Sequence, residues 1–221
     1  MFIGHYGPAF AAKPLARPVP LWLLFVAVQW LDVVWSGFVL AGIEKVRIMP
    51  GFTPASPLDL YFMPYTHSLA GAAVLSLVFC ALALLFVRDR RLAAAAVVAG
   101  AVFSHWLLDL VVHMPDLPLL GDSGAKLGFG LWRWLWISLP LELASLLAGA
   151  ALYARAVPSR TRTGDAALWV FVAAMAGTEI YAVFGPPPAG PQAQALTALF
   201  AYGVLALLAG LVDWARGTWR G

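Results

Sequence analysis

Charge is what this sequence has least of. Asp, Glu, Lys and Arg together make up 11% of the 221 residues, while 62% of the chain is hydrophobic. An ordinary soluble domain carries about a quarter charged residues. The composition therefore excludes a solvated globular fold and reads as a polytopic membrane protein. There is one cysteine, Cys80, which excludes an intramolecular disulfide and, within an apolar run, reads as a buried thiol. The start "MFIGHYGPAF" has no basic stretch ahead of an apolar core, so no cleavable signal peptide is expected. Repeats and low-complexity tracts are absent, and no soluble domain is appended. The net charge of +3 comes from cations in inter-helix loops, so nucleic acid is not an expected partner.

Six stretches are apolar for about the 20 residues that a membrane-crossing helix needs: 20–43, 64–87, 92–113, 132–155, 166–185 and 194–215. Their lack of polar/apolar alternation excludes strands. The expected fold is all-α: one integral membrane domain over residues 1–221, a bundle of six transmembrane helices preceded by an arm, 1–19. The apolar start of that arm leaves room for a short re-entrant helix. Ten cations lie on one side of this topology (Lys13, Arg17, Arg88, Arg90, Arg91, Arg155, Arg160, Arg162, Arg216 and Arg220) and four on the other (Lys45, Arg47, Lys126 and Arg133). Cytoplasmic loops carry the positive excess, so both termini are expected in the cytoplasm of a bacterial-type inner membrane. "WRWLW", Trp132 to Trp136, fits an aromatic belt at the outer interface.

Ionisable groups inside a span are costly and mark paired or functional positions. Here they are Asp32, His105, Asp109, Glu142 and Glu179, with His67 and His113 near outer helix ends. In "SHWLLDLVVH", His105, Asp109 and His113 recur every four residues and form one stripe on a helix. His105 and Asp109, one turn apart, can converge on a cation, as ligands at this spacing do in helical zinc sites. His113 lies two turns beyond His105, about 12 Å along the axis, and is expected to bind a second ion, orient substrate or sit in the headgroup layer. His67 opens the second span in "MPYTHSL", and the short "RDRR" connection makes it a neighbour of the stripe. Asp32 lies at a depth matching that of His105. His5 joins the candidate ligands if the arm re-enters. Glu142 is a candidate proton shuttle, Glu179 a helix–helix hydrogen-bonding group, and Asp213, Asp165 and Asp122 read as boundary or loop residues.

The succession "GHYG" (His5), "QWLD" (Asp32), "YTHS" (His67) and "SHWLLD" (His105, Asp109) resembles the predicted inner-membrane metal-dependent hydrolases, the YdjM-like group. The resemblance covers about the first 115 residues. That family often carries paired aspartates where Asp32 stands alone here. It implies metal chemistry and says little about substrate.

Two functional classes follow. The first is a membrane-embedded hydrolase with a divalent metal, zinc first and manganese or iron also open, held by His67, His105 and Asp109 with Asp32 or His5 completing the shell. Glu142 and His113 would serve catalysis on a lipid-like ester, phosphoester or amide. The second is a non-catalytic ion- or proton-handling protein or an accessory subunit of a membrane complex. In either class, membrane lipids and a homo-oligomer or larger complex are the expected partners.

Overall fold

The computed structural model describes residues 2–86 and 90–218. Arg88 and Arg220, counted in the charge asymmetry, lie outside them. Among the described residues the regular structure is helical apart from two small hairpins. The arm contains a 3-10 turn, Ile3–His5, and α1, Tyr6–Ala12. Then come α2 (Leu21–Val28), α3 (Trp30–Leu40), α4 (Leu69–Phe86), α5 (Arg91–Val112), α6 (Leu135–Ala156), α7 (Arg162–Phe184) and α8 (Pro191–Ala215). Four of these, α5 to α8, are long and apolar enough to cross a membrane. The α2–α3 pair, bent by 55°, makes a fifth if counted as one span.

The difference from six regular spans has local causes. The first expected span breaks at Gln29, where neither Gly nor Pro is present. The imidazole of His105 takes the Val28 carbonyl at 2.6 Å, and a side chain inserted into the backbone ladder bends a helix. The second expected span begins late, because "PYTHS" forms turns instead of helix and α4 is a shorter apolar helix. Elsewhere the boundaries follow capping chemistry. Thr161 precedes α7 and its hydroxyl accepts from the Gly164 amide at 2.9 Å. Pro191 occupies the first turn of α8, where a missing N–H costs nothing.

The long loop after α3 is an antiparallel hairpin, β1 (Lys45–Ile48) against β2 (Leu58–Phe62). In β1 the side chains alternate, with Val46 buried between exposed Lys45 and Arg47. A second short pair, β3 (Leu117–Pro118) and β4 (Lys126–Leu127), follows α5.

The arm sits inside the bundle. From Ile3 to Ala12 most side chains are buried, and α1 packs between α2, α5 and α6. Gly7 makes this approach feasible: a Cβ there would collide with the backbone of Ser145, and one on Gly149 with the backbone of Gly7. The chain thus runs from the interior out to Lys13. At that end Arg17 donates to the Ala156 carbonyl at 3.2 Å and the Arg160 amide to that of Arg216 at 2.9 Å.

Candidate metal centre

The opposite end, where α5 terminates, gathers the predicted ligands. His105 and Asp109 share a face of α5, Asp32 comes from α3 just past the bend, His67 from the turn before α4, and His5 from the arm. All are buried except Asp32, whose side chain is 18% exposed. His67 Nε2 lies 3.2 Å from Asp32 Oδ1 and 3.7 Å from Asp109 Oδ2. His105 Nε2 lies 3.5 Å and 3.1 Å from the same two oxygens. These four atoms form a closed ring. Donors bound at about 2.1 Å to one ion stand about 3.0–3.5 Å apart; three of the four sides have that spacing, and the side from His67 to Asp109 is longer. His5 Nε2 approaches Asp109 from the other side, 3.1 Å from Oδ1, with its ring stacked on His105 at 3.7 Å. Two triads have donor atoms close enough to hold a metal ion: Asp32, His67 and His105, and His5, His105 and Asp109.

The hydrogen bonds behind the ring set the tautomers. His105 Nδ1 faces the Val28 carbonyl, which only accepts, so the proton is on Nδ1. Buried Glu44 accepts from the Tyr65 and Thr66 amides at 2.8 and 3.0 Å and from the Thr66 hydroxyl at 2.6 Å. Thr66 has spent its proton, so at 2.7 Å it accepts from His67 Nδ1. His113 Nδ1 donates to Asp116 at 3.0 Å. In all three rings Nε2 is therefore the lone-pair nitrogen whenever the imidazole is neutral, and each one faces a carboxylate oxygen. Acceptor against acceptor is repulsive unless a cation lies between, and the donor set of imidazole nitrogens and carboxylate oxygens suits a divalent one. His105 has only Nε2 to give, so it serves one ion, and the two triads compete for it unless Asp109 bridges.

His113 departs from the axial estimate. Helical side chains lean toward the N-terminus, and Nε2 reaches back to within 3.4 Å of Asp109 Oδ1. Trp132 is not a belt residue. It is buried and packs on the His113 ring at 4.3 Å, whereas Trp134 and Trp136 are exposed. Glu142 makes none of its described hydrogen bonds to the cluster; it accepts from the Phe2 and Gly4 amides at 2.8 and 3.3 Å. Glu179 accepts from the Ile3 amide at 3.3 Å. Asp213 is no boundary residue but a buried partner of Lys13 at 3.1 Å.

Sequence reasoning missed the supports. The Tyr202 hydroxyl of α8 donates to Asp32 Oδ2 at 2.8 Å, leaving Oδ1 for the ring. The Trp106 indole donates to the His67 carbonyl at 3.0 Å. A signal existed for Thr66, which sits beside His67 in "YTHS"; Tyr202 offered none.

A cavity of about 660 Å³ opens beside the cluster. Asp32, His67, Asp109 and His113 line one wall, and Glu142 and Glu179 another part. The remainder is largely apolar: the hairpin turn around Pro50–Leu58, the Pro186–Pro188 turn and the first half of α8. No family model, curated protein or solved structure matches this chain.

Proposed function

We propose that this chain is a membrane-embedded metal-dependent hydrolase, the class its His and Asp motifs resemble. The observation that carries the reading is the ring of Asp32, His67, Asp109 and His105, in which both imidazoles have Nδ1 tied down and Nε2 turned inward. These four residues would hold a divalent ion, zinc by donor type, with His5 adjoining. A bound ion of this kind polarises an ester or phosphoester oxygen and acidifies water at neutral pH.

The chain supplies the rest. His113 and Asp116 form a dyad on the cavity side of the cluster: the carboxylate holds Nδ1–H, and Nε2 is the atom that takes and returns a proton. Trp132 fixes the ring in that orientation. The apolar walls receive the hydrocarbon part of a lipid-like substrate and exclude bulk water. The bent pair and α4 complete six crossings, with the site toward the outer leaflet and both faces of the bundle in contact with lipid.

The proton-handling alternative would fill the ring with imidazolium protons. Stacking His5 on His105 at 3.7 Å limits it, since only one of the two rings can be charged without face-to-face repulsion. The test is hydrolysis by purified, zinc-loaded protein of neutral, zwitterionic and anionic lipids in mixed micelles. The reading predicts turnover of at least one class, abolished by chelator and by His113→Ala. No turnover of any class with full metal occupancy would contradict it.

A further inference from the structure

We infer that Glu142 and Glu179 are positioning residues that set His5 against the metal centre, an inference that rests on the reading that the cluster holds a divalent ion. The first turn of a helix leaves amides without partners, and in an apolar interior such amides must find acceptors. Phe2 provides no side-chain cap for the turn Ile3–His5. Two carboxylates from different helices do so instead. Glu142 of α6 takes the Phe2 and Gly4 amides, and Glu179 of α7 takes the Ile3 amide between them. The carbonyls are held as well: Gln29 donates to Phe2 O at 3.2 Å, and Ser145, less than one turn beyond Glu142, donates to Gly4 O at 2.8 Å.

His5 is the next residue, fully buried, with Nε2 at 3.1 Å from Asp109. The Gly7 contact with Ser145 and Gly149 fixes the register of α1 immediately after it. The segment is thereby clamped on both sides of His5 by α6. The two mid-span glutamates act on the metal through this backbone, at a distance from the ring.

Cobalt(II) substitution tests the assignment, because its visible spectrum reports coordination number and ligand type. Four proteins are compared with wild type: His5→Ala, Glu142→Ala/Glu179→Ala, Glu142→Gln/Glu179→Gln, and the triple variant with all three alanines. His5→Ala and the double-alanine variant should show the same altered spectrum and bind cobalt about 10–100-fold more weakly. The triple variant should be no worse than either. The double-glutamine variant, which keeps the acceptors, should match wild type. If the double-alanine protein does not fold, as judged by helical circular dichroism, Ser145→Ala and Glu142→Ala singly carry the same expectation at smaller size. A double-alanine spectrum and affinity equal to wild type would overturn this inference alone. Glutamines behaving like alanines would also overturn it, and wild-type protein that binds no cobalt would remove the metal reading together with it.

Discussion

Asp109 and Asp213 are each 1% exposed, yet their surroundings differ in kind. Around Asp213 the chain provides its own cation. Lys13 Nζ sits 3.1 Å away, the Tyr153 hydroxyl donates to the other oxygen at 3.1 Å, and the Leu21 amide at the start of α2 donates at 3.0 Å. Burial pulls the Lys13 ammonium below the usual lysine value, and Asp213 opposes that fall. Nearby, Arg216 pairs with Asp165, donates to the Val157 carbonyl at 2.7 Å and lies over the Tyr153 ring at 4.7 Å. Around Asp109 and Asp32 the described side chains are the imidazoles of His5, His67, His105 and His113, with the Tyr202 hydroxyl on the outer oxygen of Asp32. One end is a closed ionic lock that tethers the arm and α8. The other is a cluster of carboxylates and imidazoles of the same burial, beside a cavity. The contrast teaches that buried charge alone does not mark a candidate site; carboxylates gathered with several imidazoles beside a cavity do.

Exchanging carboxylates for neutral isosteres should break the comparison most sharply. Asp109→Asn is expected to lower divalent metal affinity by about 10³-fold or more, since it removes the anionic ligand of the triad with His5 and His105 and one corner of the ring. The apo protein should stay folded, since Asn matches Asp in shape and size, and the gain in unfolding midpoint on adding zinc should shrink. Thermal unfolding with and without zinc reads both effects. The large loss of stability belongs to the other end. Lys13→Met strands the Asp213 carboxylate and should cost about 3–5 kcal/mol, while Lys13→Met/Asp213→Leu recovers most of it. Metal stoichiometry per folded chain should stay unchanged in both.

Smaller effects sharpen the account of the ring. Glu44→Gln and Thr66→Val interrupt the chain that fixes the His67 tautomer, and each should weaken zinc binding about 10–100-fold, measured by competition with a chromophoric chelator. Tyr202→Phe frees one oxygen of Asp32 and should fall at or below the lower end of that range. Gly149→Ala pushes α1 away from α6 and should destabilise by about 1–3 kcal/mol, with a secondary loss of metal affinity through His5.

Much of this was legible from the sequence because it is local. The His105–Asp109 pair follows from helical spacing, and the apolar runs mark α5 to α8 within a few residues. What was not legible depends on distant segments. The bend at Gln29 has no breaker residue and is made by His105, 76 positions away. Lys13 and Asp213 are at opposite ends of the chain, so their pairing has no sequence signature. Glu142 and Glu179 look like mid-span acids, and their partners are backbone amides, which carry no side-chain signal. The hairpin was partly visible in the alternation of "KVRI", but a loop between two apolar runs gave no reason to look for strands. Trp132 shares its run with two exposed tryptophans, and composition cannot separate the one that turns inward.

The most direct test is elemental analysis of wild-type protein purified without chelator, beside the His105→Ala/Asp109→Ala variant prepared identically. The account predicts at least one divalent ion per wild-type chain and none in the variant, with both proteins helical. No ion in the wild type, even after reconstitution with zinc or manganese, would contradict it and leave the facing acceptors of the cluster to be explained by protons.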